Sequence, residues 1–156
     1  MDAIDCKIIE VIQNNADLTN AELAVQINLS PSSCLRRVQR LKKEGVILKT
    51  VGLVDPDKLN RGLTAIVDVT LERHGVEARQ MFMDQILMEP AIAQVYSVTG
   101  ETDVILIINL VDMKEYQAIC NRLFNNDPNV VKFRTLFAME RNKFETAIPV
   151  SAVYIV

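Results

Sequence analysis

The chain has 156 residues, 49% of them hydrophobic, and a formal net charge of −3. This length suits one domain or two small ones, and no apolar run approaches the roughly 20 residues of a membrane-spanning helix. With no signal peptide at its start, the sequence predicts a cytoplasmic protein with no membrane partner, and its three scattered cysteines predict core thiols rather than a metal or cofactor site.

The first third of the chain, residues 1–50, is predicted to form a domain of three short helices. Apolar residues recur on one helical face from about residue 2 to residue 14. Thr19, followed three residues later by Glu22, forms a capping box that predicts the start of a second helix. Three helices with a tight turn between the last two are typical of a helix-turn-helix.

The third predicted helix has clear start and stop signals. Ser30 is a good N-cap residue, Pro31 suits the first turn, and Gly45 predicts the end of the helix. A β-branched stretch at residues 46–51 is expected to form a short strand or wing. The residues predicted to face a core are Leu35, Val38 and Leu41.

Positive charge is concentrated on this helix although the whole chain is net negative. Between Ser30 and Lys49, six basic residues stand against one acid, Glu44. An arginine can bond a guanine edge or hold a phosphate, and hydroxyls in the first turn can contact the DNA backbone or a base. The candidate DNA-binding residues are Ser30, Ser32, Ser33, Arg36, Arg37, Arg40, Lys42, Lys43 and Lys49. Two plainer interpretations stay open: a solvated basic face, and an internal bracing role for Arg37.

A linker is predicted at residues 51–63 and a second domain at residues 64–156. Strands and helices alternate there in the order βαββαβ, which predicts a ferredoxin-like sandwich. The segment 104–111 is almost wholly apolar, as expected for a strand buried on both faces, and the apolar segment 148–156 is expected to pair with a sheet or a partner subunit. The predicted elements are a strand at 64–73, a helix at 76–88, strands at 92–99 and 104–111, a helix from residue 113 and a strand at 130–139.

Several stretches occur in an order that is similar to one known family. They are residues 29–38, then Gly45-Val46-Ile47, the loop 100–103, and Thr135 with the strand around it. In this order and spacing, over essentially the whole chain, the sequence resembles the Lrp/AsnC family of transcriptional regulators.

The resemblance implies an α+β protein in which a winged helix-turn-helix domain is joined to a ferredoxin-like domain for effector binding and oligomerisation. It implies double-stranded DNA as the partner of the first domain and a small amino-acid effector, bound where dimers meet. It also implies homodimers that assemble into higher oligomers such as octamers. The implied effector-binding residues are Thr99, Gly100, Glu101, Thr102, Asp103 and Thr135.

The chemistry of this loop fits an amino acid. Gly100 lets the backbone approach closely and exposes amides to a carboxylate. Asp103 can orient the loop or accept from an ammonium group, and Thr135 can supply a hydroxyl. The plainer interpretation is a hairpin turn, in which Gly and Asp are normal residues.

Two other classes of function compete with a regulator. Decarboxylases of an alternative haem pathway share this two-part architecture, but they need histidine and arginine in the sandwich cleft, and His74 is the single histidine here. A sensor that acts through protein partners is the other class, and the retained arginine face disfavours it. The sequence therefore predicts a DNA-binding regulator rather than an enzyme.

Overall fold

The computed structural model describes residues 1–72 and 75–150, and these form two compact units. The first unit consists of Met1–Leu53 together with the described residues from Lys143 onward, and the second consists of Val54–Asn142. Within the described ranges, no helix has both the length and the apolar character needed to cross a bilayer.

The unit boundaries differ from the predicted linker and second domain at both ends. Arg61, in the predicted linker, donates to the Asn109 carbonyl at 2.9 Å and pairs with Glu115 at 3.1 Å, so this segment belongs to the second unit. Near the other end, the Gln13 side chain accepts from the Ile148 amide at 2.7 Å and donates to the Ile148 carbonyl at 2.9 Å. Through this pairing the segment around Ile148 packs with the first unit. The sequence predicts instead that it continues the second domain.

The first unit contains the three predicted helices: α1 Ala3–Asn14, α2 Asn20–Gln26 and α3 Pro31–Lys43. The predicted capping box at α2 is confirmed, since the Glu22 amide donates to Thr19 Oγ1 and the Thr19 amide donates to Glu22. Ser30 caps α3 as predicted, by accepting from the Ser33 amide. Each helix therefore begins with a side chain that satisfies otherwise unpaired amides.

The ends of α2 and α3 share one geometry. Asn28 and Gly45 follow the two helices with φ values of 55° and 72°, in the left-handed region. After α3, the Gly45 amide donates to the Lys42 carbonyl at 3.1 Å and the Val46 amide to the Leu41 carbonyl at 2.9 Å, which is a Schellman motif. Of the strand or wing predicted at residues 46–51, the strand does not form, since Val46 and Ile47 lie in a bend and residues 48–51 have no regular structure.

A small core holds the three helices together. Its buried residues are Ile8, Leu23, Ala24, Ile27, Cys34 and Leu41. The predicted inner face of α3 is correct for Leu41 and Val38, which packs against this core, but wrong for Leu35, which is 45% exposed. Cys34 takes the inner position instead because it lies seven residues before Leu41, two full helical turns away.

The second unit has the predicted βαββαβ order and a four-stranded antiparallel sheet with strand order β2-β3-β1-β4. Its elements are β1 Leu63–Leu71, α4 Val76–Leu87, β2 Ile92–Ser97, β3 Val104–Leu110, α5 Met113–Cys120, a π-helical turn Asn121–Asn125 and β4 Val130–Phe137. A short 3₁₀-helix, Asp57–Leu59, precedes β1. The predicted ferredoxin-like sandwich is thereby confirmed.

Both helices cover one face of this sheet and leave the other open. In β1, Val67 and Val69 are fully buried on the helix side, whereas Asp68 lies on the open face. The prediction that β3 is buried on both faces is wrong for the single chain, since Ile105 and Ile107 on the open face are only half-buried. Arg73, His74 and residues 151–156 lie outside the described residues, and so do the sequence predictions for them.

Candidate DNA-binding and ligand-binding sites

Helix α3 presents one continuous polar face to solvent. Its exposed residues at spacings of four, three and four are Ser32, Arg36, Gln39 and Lys43, which we term the outward stripe. The stripe lies opposite Cys34 and Leu41, the buried side of the helix. No ion pair reaches Arg36 within the described residues, so its guanidinium is available to a partner.

The other two arginines of α3 are engaged inside the unit. Arg37 Nη1 lies 2.7 Å from Asp2 Oδ2 and 2.8 Å from Asp5 Oδ1. Arg40 Nη2 lies 2.6 Å from Asp5 Oδ2, and Arg40 Nε lies 3.8 Å from Glu44. The bracing interpretation of Arg37 therefore describes what the structure shows, and it extends to Arg40.

Asp5 is a charged group in an almost fully buried position, with its side chain 1% exposed. Burial by itself raises the pKa of this carboxyl, but the hydrogen bonds from the Asp2 amide and from Arg37 outweigh it and hold the pKa below its ordinary value. The Asp5 amide and Arg37 likewise lower the pKa of Asp2 to about 2. Both carboxylates, in turn, raise the pKa of Arg37. The cluster is thus fully ionised at neutral pH.

The remaining predicted DNA-binding residues fall in three places. Ser30 and Ser33 are engaged at the start of α3, where the Ser30 hydroxyl caps the helix. Lys42 lies on a different side of α3 from the outward stripe, at the rim of a shallow hollow of about 150 Å³ that Leu35 also lines. Lys49 is exposed in the irregular segment after the helix.

Sequence reasoning missed two features of this surface. Gln39 belongs to the outward stripe, and its distance of seven residues from Ser32 was the available signal. Asp5 shares a helical face with Ile8 and Ile12, and an acid on an apolar face requires a partner of opposite charge. That signal indicates a buried ion pair but does not say which arginine supplies it.

In the second unit, the predicted effector loop connects β2 to β3 and is fixed by hydrogen bonds to β1. Thr102 Oγ1 donates to the Val69 carbonyl at 2.9 Å, and the Asp103 carboxylate accepts from the Leu71 amide at 2.9 Å. Asp103 therefore orients the loop, at the point where the pairing of β1 with β4 shifts register. Gly100 has a φ of 122°, which favours glycine, and it is exposed with Thr99 at the tip of the loop.

A groove of about 270 Å³ opens beside this loop on the open face of the sheet. It is lined by Asp68, Thr70, Glu101, Thr102, Lys132, Phe133 and Arg134. Asp68 pairs with Arg134 at 2.7 Å across the two neighbouring strands. The groove therefore offers both anionic and cationic side chains to a ligand.

Thr135 does not join this groove within the chain. It pairs with Val67, whose side chain lies on the helix side, and its hydroxyl accepts from Tyr116 of α5 at 2.7 Å. Of the six predicted effector residues, the structure brings Glu101 and Thr102 to the groove, Thr99 and Gly100 to the loop tip, and Asp103 and Thr135 into internal hydrogen bonds. Across residues 1–72 and 75–150, no cluster of three or more His, Cys, Asp or Glu side chains is arranged to hold a metal ion.

Comparison with known proteins agrees with both halves of the chain. Residues 1–47 match the winged helix-turn-helix DNA-binding family, and residues 64–148 match the Lrp/AsnC ligand binding domain. The chain is 36% identical over 150 residues to the HTH-type transcriptional regulator y4tD of Sinorhizobium fredii, covering 96% of this chain and 89% of that protein. It is 31% identical over 150 residues to the DNA-binding transcriptional activator DecR of Escherichia coli, covering 96% and 99%.

A solved structure gives the same result. The transcriptional regulator NMB0573 of Neisseria meningitidis, in complex with L-Met, superposes with a TM-score of 0.90 at 31% identity and covers 96% of each chain. These findings and the two-unit fold define a transcriptional regulator that has a DNA-binding helix-turn-helix and a ligand-binding domain. The chain belongs to the Lrp/AsnC family, as the sequence resemblance predicted.

Proposed function

We propose that this regulator reads operator DNA with the outward stripe of α3, and that Arg36 makes the principal base contact. The observation that carries this proposal is that Arg36 is exposed and has no ion pair within the described residues, whereas Arg37 and Arg40 are held by carboxylates. Arginine pairs bidentately with guanine and glutamine with adenine, so Arg36 and Gln39 suit direct readout in the major groove. The other candidates suit contacts to DNA phosphates. They are Lys42, Lys43 and Lys49, and the serines at the start of α3, Ser30, Ser32 and Ser33.

The test is selection from randomised duplexes at near-physiological salt, followed by binding measurements on the enriched site. Arg36→Ala is expected to lose about 1–3 kcal/mol of specific binding and to relax the preference at one base position. Lys114→Ala is the matched control, because it removes an exposed positive charge from α5 in the other unit. If no motif is enriched by the wild-type chain, or if Arg36→Ala binds it unchanged, the assignment of α3 fails.

We also propose that a small amino acid binds in the groove beside the loop at residues 99–103. The groove has acids, Asp68 and Glu101, for the ammonium group and bases, Lys132 and Arg134, for the carboxylate. The match to a ligand-binding domain and the L-Met complex of the Neisseria relative support this ligand class. Thr135 does not contact the effector in this proposal, because its hydroxyl is bonded to Tyr116 on the helix side of the sheet.

Calorimetric titration with individual L-amino acids tests the groove. Lys132→Ala is expected to weaken binding at least about tenfold, as is usual when a charge-assisted hydrogen bond is lost. Gly100→Trp is expected to abolish the effect of the amino acid on DNA binding while the chain stays folded. Lys114→Ala, which keeps the groove intact, should bind normally. An unchanged response in both groove variants would show that the effector binds elsewhere.

We further propose that the chain acts as a homodimer that assembles into higher oligomers such as octamers. The support is the open sheet face, where Leu136 and Tyr96 are 54% and 51% exposed beside the half-buried Ile66, Ile105 and Ile107. Apolar patches of this kind usually mark an interface. Light scattering of the wild type should give a multimer, and Ile66→Asp should reduce it to smaller species. A monomeric wild type would contradict the proposal.

The named relatives are transcriptional regulators, which supports a regulatory rather than a catalytic role for this chain. Because its partner is chromosomal DNA, we expect the protein to act in the cytoplasm.

A further inference from the structure

Two carboxylates at the start of α1 form ion pairs with two of the three arginines of α3. They belong to Asp2, the N-cap residue, and to Asp5 in the first turn. Asp5 receives hydrogen bonds from Arg37, Arg40 and the Asp2 amide, at 2.8, 2.6 and 2.9 Å. Asp2 adds a second contact to Arg37. Asp2 is 52% exposed, but Asp5 is buried between the helices and is the centre of the cluster.

This cluster is electrically balanced. Its two carboxylates and two guanidinium groups sum to zero, although both arginines lie on the helix that bears the outward stripe. Arg40 remains 46% exposed and Arg37 24% exposed, so both lie near the surface that a DNA duplex would approach. Because the charges of Arg37 and Arg40 are balanced within the cluster, the net positive charge of the surface facing DNA comes from Arg36 and the lysines.

The number of cations that reach phosphates determines how strongly a protein binds DNA of any sequence. Each phosphate contact adds about 0.9 to the slope of log affinity against log salt, without adding sequence information. Withholding two arginines from the phosphates therefore lowers non-specific binding. On an operator, the base contacts of the outward stripe fix the orientation of α3, whereas on other sequences the helix is free to turn towards the phosphates. Cations beside the stripe therefore add more to non-specific than to specific affinity, and withholding them raises the ratio of specific to non-specific affinity.

We propose that Asp5 is a specificity-determining positioning residue, which holds Arg37 and Arg40 away from phosphate so that discrimination rests on the outward stripe. The inference rests on the proposed DNA-binding role of α3. It assigns the acid of α1 a part in operator recognition although that acid does not touch DNA.

Asp5→Asn tests this role because it removes the negative charge and keeps the side-chain shape. The full-length variant is titrated with the selected operator and with a duplex of scrambled sequence, each over a series of KCl concentrations. We expect affinity for the scrambled duplex to rise about tenfold and its salt slope to steepen by about one for each released arginine. Operator affinity should change less, so the specificity ratio should fall. A bracing role alone predicts weaker binding to both duplexes.

Two further variants keep the result interpretable. Glu10→Gln changes the net charge by the same amount from an exposed position on α1, and we expect it to leave both salt slopes unchanged. Arg40→Gln in the wild-type background should also leave the slope unchanged, because Arg40 is already withheld. In the Asp5→Asn background, Arg40→Gln should make the salt slope shallower by about one.

The outcomes separate the two proposals. Failure of the wild type to prefer any operator would sink the proposed function before Asp5 is tested. A wild type that prefers its operator, together with a folded Asp5→Asn whose salt slope is unchanged or shallower, overturns the role of Asp5. If Asp5→Asn does not fold, Arg40→Gln in the wild-type background tests the proposal by itself. An unchanged salt slope supports the proposal that Asp5 withholds Arg40 from phosphate, and a salt slope shallower by about one overturns that proposal.

Discussion

Asp5 shows how a charged residue becomes part of a protein core. A carboxylate that is 1% exposed would be strongly unfavourable without partners, and here three donors surround it. The arrangement ties the start of α1 to the middle of α3. Arg37 is bound inward and Arg36 points outward, so the proposed function divides stability and recognition between neighbouring arginines.

Arg37→Ala is expected to destabilise the first unit clearly more than Arg36→Ala does, because it removes a charge-assisted bond to a buried carboxylate while Arg40 keeps Asp5 partly neutralised. Arg36→Ala should change stability by less than about 0.5 kcal/mol, as exposed substitutions usually do. Urea unfolding followed by circular dichroism measures both. Equal stability losses in the two variants would contradict the division of roles between these arginines.

The stability of the first unit should also depend on pH through the same carboxylates. The pKa of Asp2 is lowered from 3.8 to about 2 and that of Asp5 is also lowered, so the folded state binds protons less readily than the unfolded state. The contribution is therefore complete above about pH 5 and is lost as the pH falls towards 2. Melting temperatures of wild type and Asp2→Asn should differ at pH 7 and converge near pH 2. A constant difference across this range would show that the Asp2 charge contributes nothing.

At the scale of elements, the end of α3 depends on a single backbone conformation. Gly45 has a φ of 72°, and a Cβ placed there would meet nothing within 4 Å. Gly45→Ala should therefore cost about 1–2 kcal/mol through backbone strain alone. Gly52→Ala is the control, since that position is equally open but does not have a left-handed φ. Thermal unfolding that is the same for both variants would show that the Schellman motif contributes little.

The helices and strands of this fold are well encoded locally. The capping box at Thr19 and Glu22, the Ser30 cap and the alternation of β1 each depend on residues within a few positions of one another. Two predictions that failed have different causes. Leu35 is exposed because Cys34, and not Leu35, lies two helical turns from the buried Leu41, which is a matter of local spacing. The expected strand at 46–51 lacks a neighbouring strand to pair with, which no local pattern reveals.

The candidate sites show the same limit. The basic character of α3 is visible in the sequence, but the division of its arginines is not, because Asp5 lies 32 residues from Arg37. The loop at residues 99–103 connects two strands, as the turn residues in the sequence predict, whereas the side of the sheet to which Thr135 points depends on the register of β4 against β1. A shift of one residue would reverse that side, and the alternation in β4 does not decide it, because Phe137 and Leu136 put apolar side chains on both faces.

At the scale of the whole molecule, DNA binding and effector binding occupy different compact units. An effector can change DNA affinity only if it binds two arrangements of the assembly with different affinity, and the DNA must then change effector affinity by the same factor. In the proposed dimer, the arrangement that matters is the separation of the two α3 helices. That separation must match the spacing of successive major grooves on one face of the duplex.

The spacing requirement can be tested on the selected operator. Inserting about 5 bp between its half-sites turns one of them to the opposite side of the duplex, whereas about 10 bp restores the side. We expect the short insertion to lower affinity at least about tenfold and the longer one to recover part of the loss. A duplex with one half-site gives the affinity of a single helix-turn-helix domain. If both insertions reduce binding to that level, the two domains of the dimer are not held at a fixed separation. An effector could then not act by changing that separation.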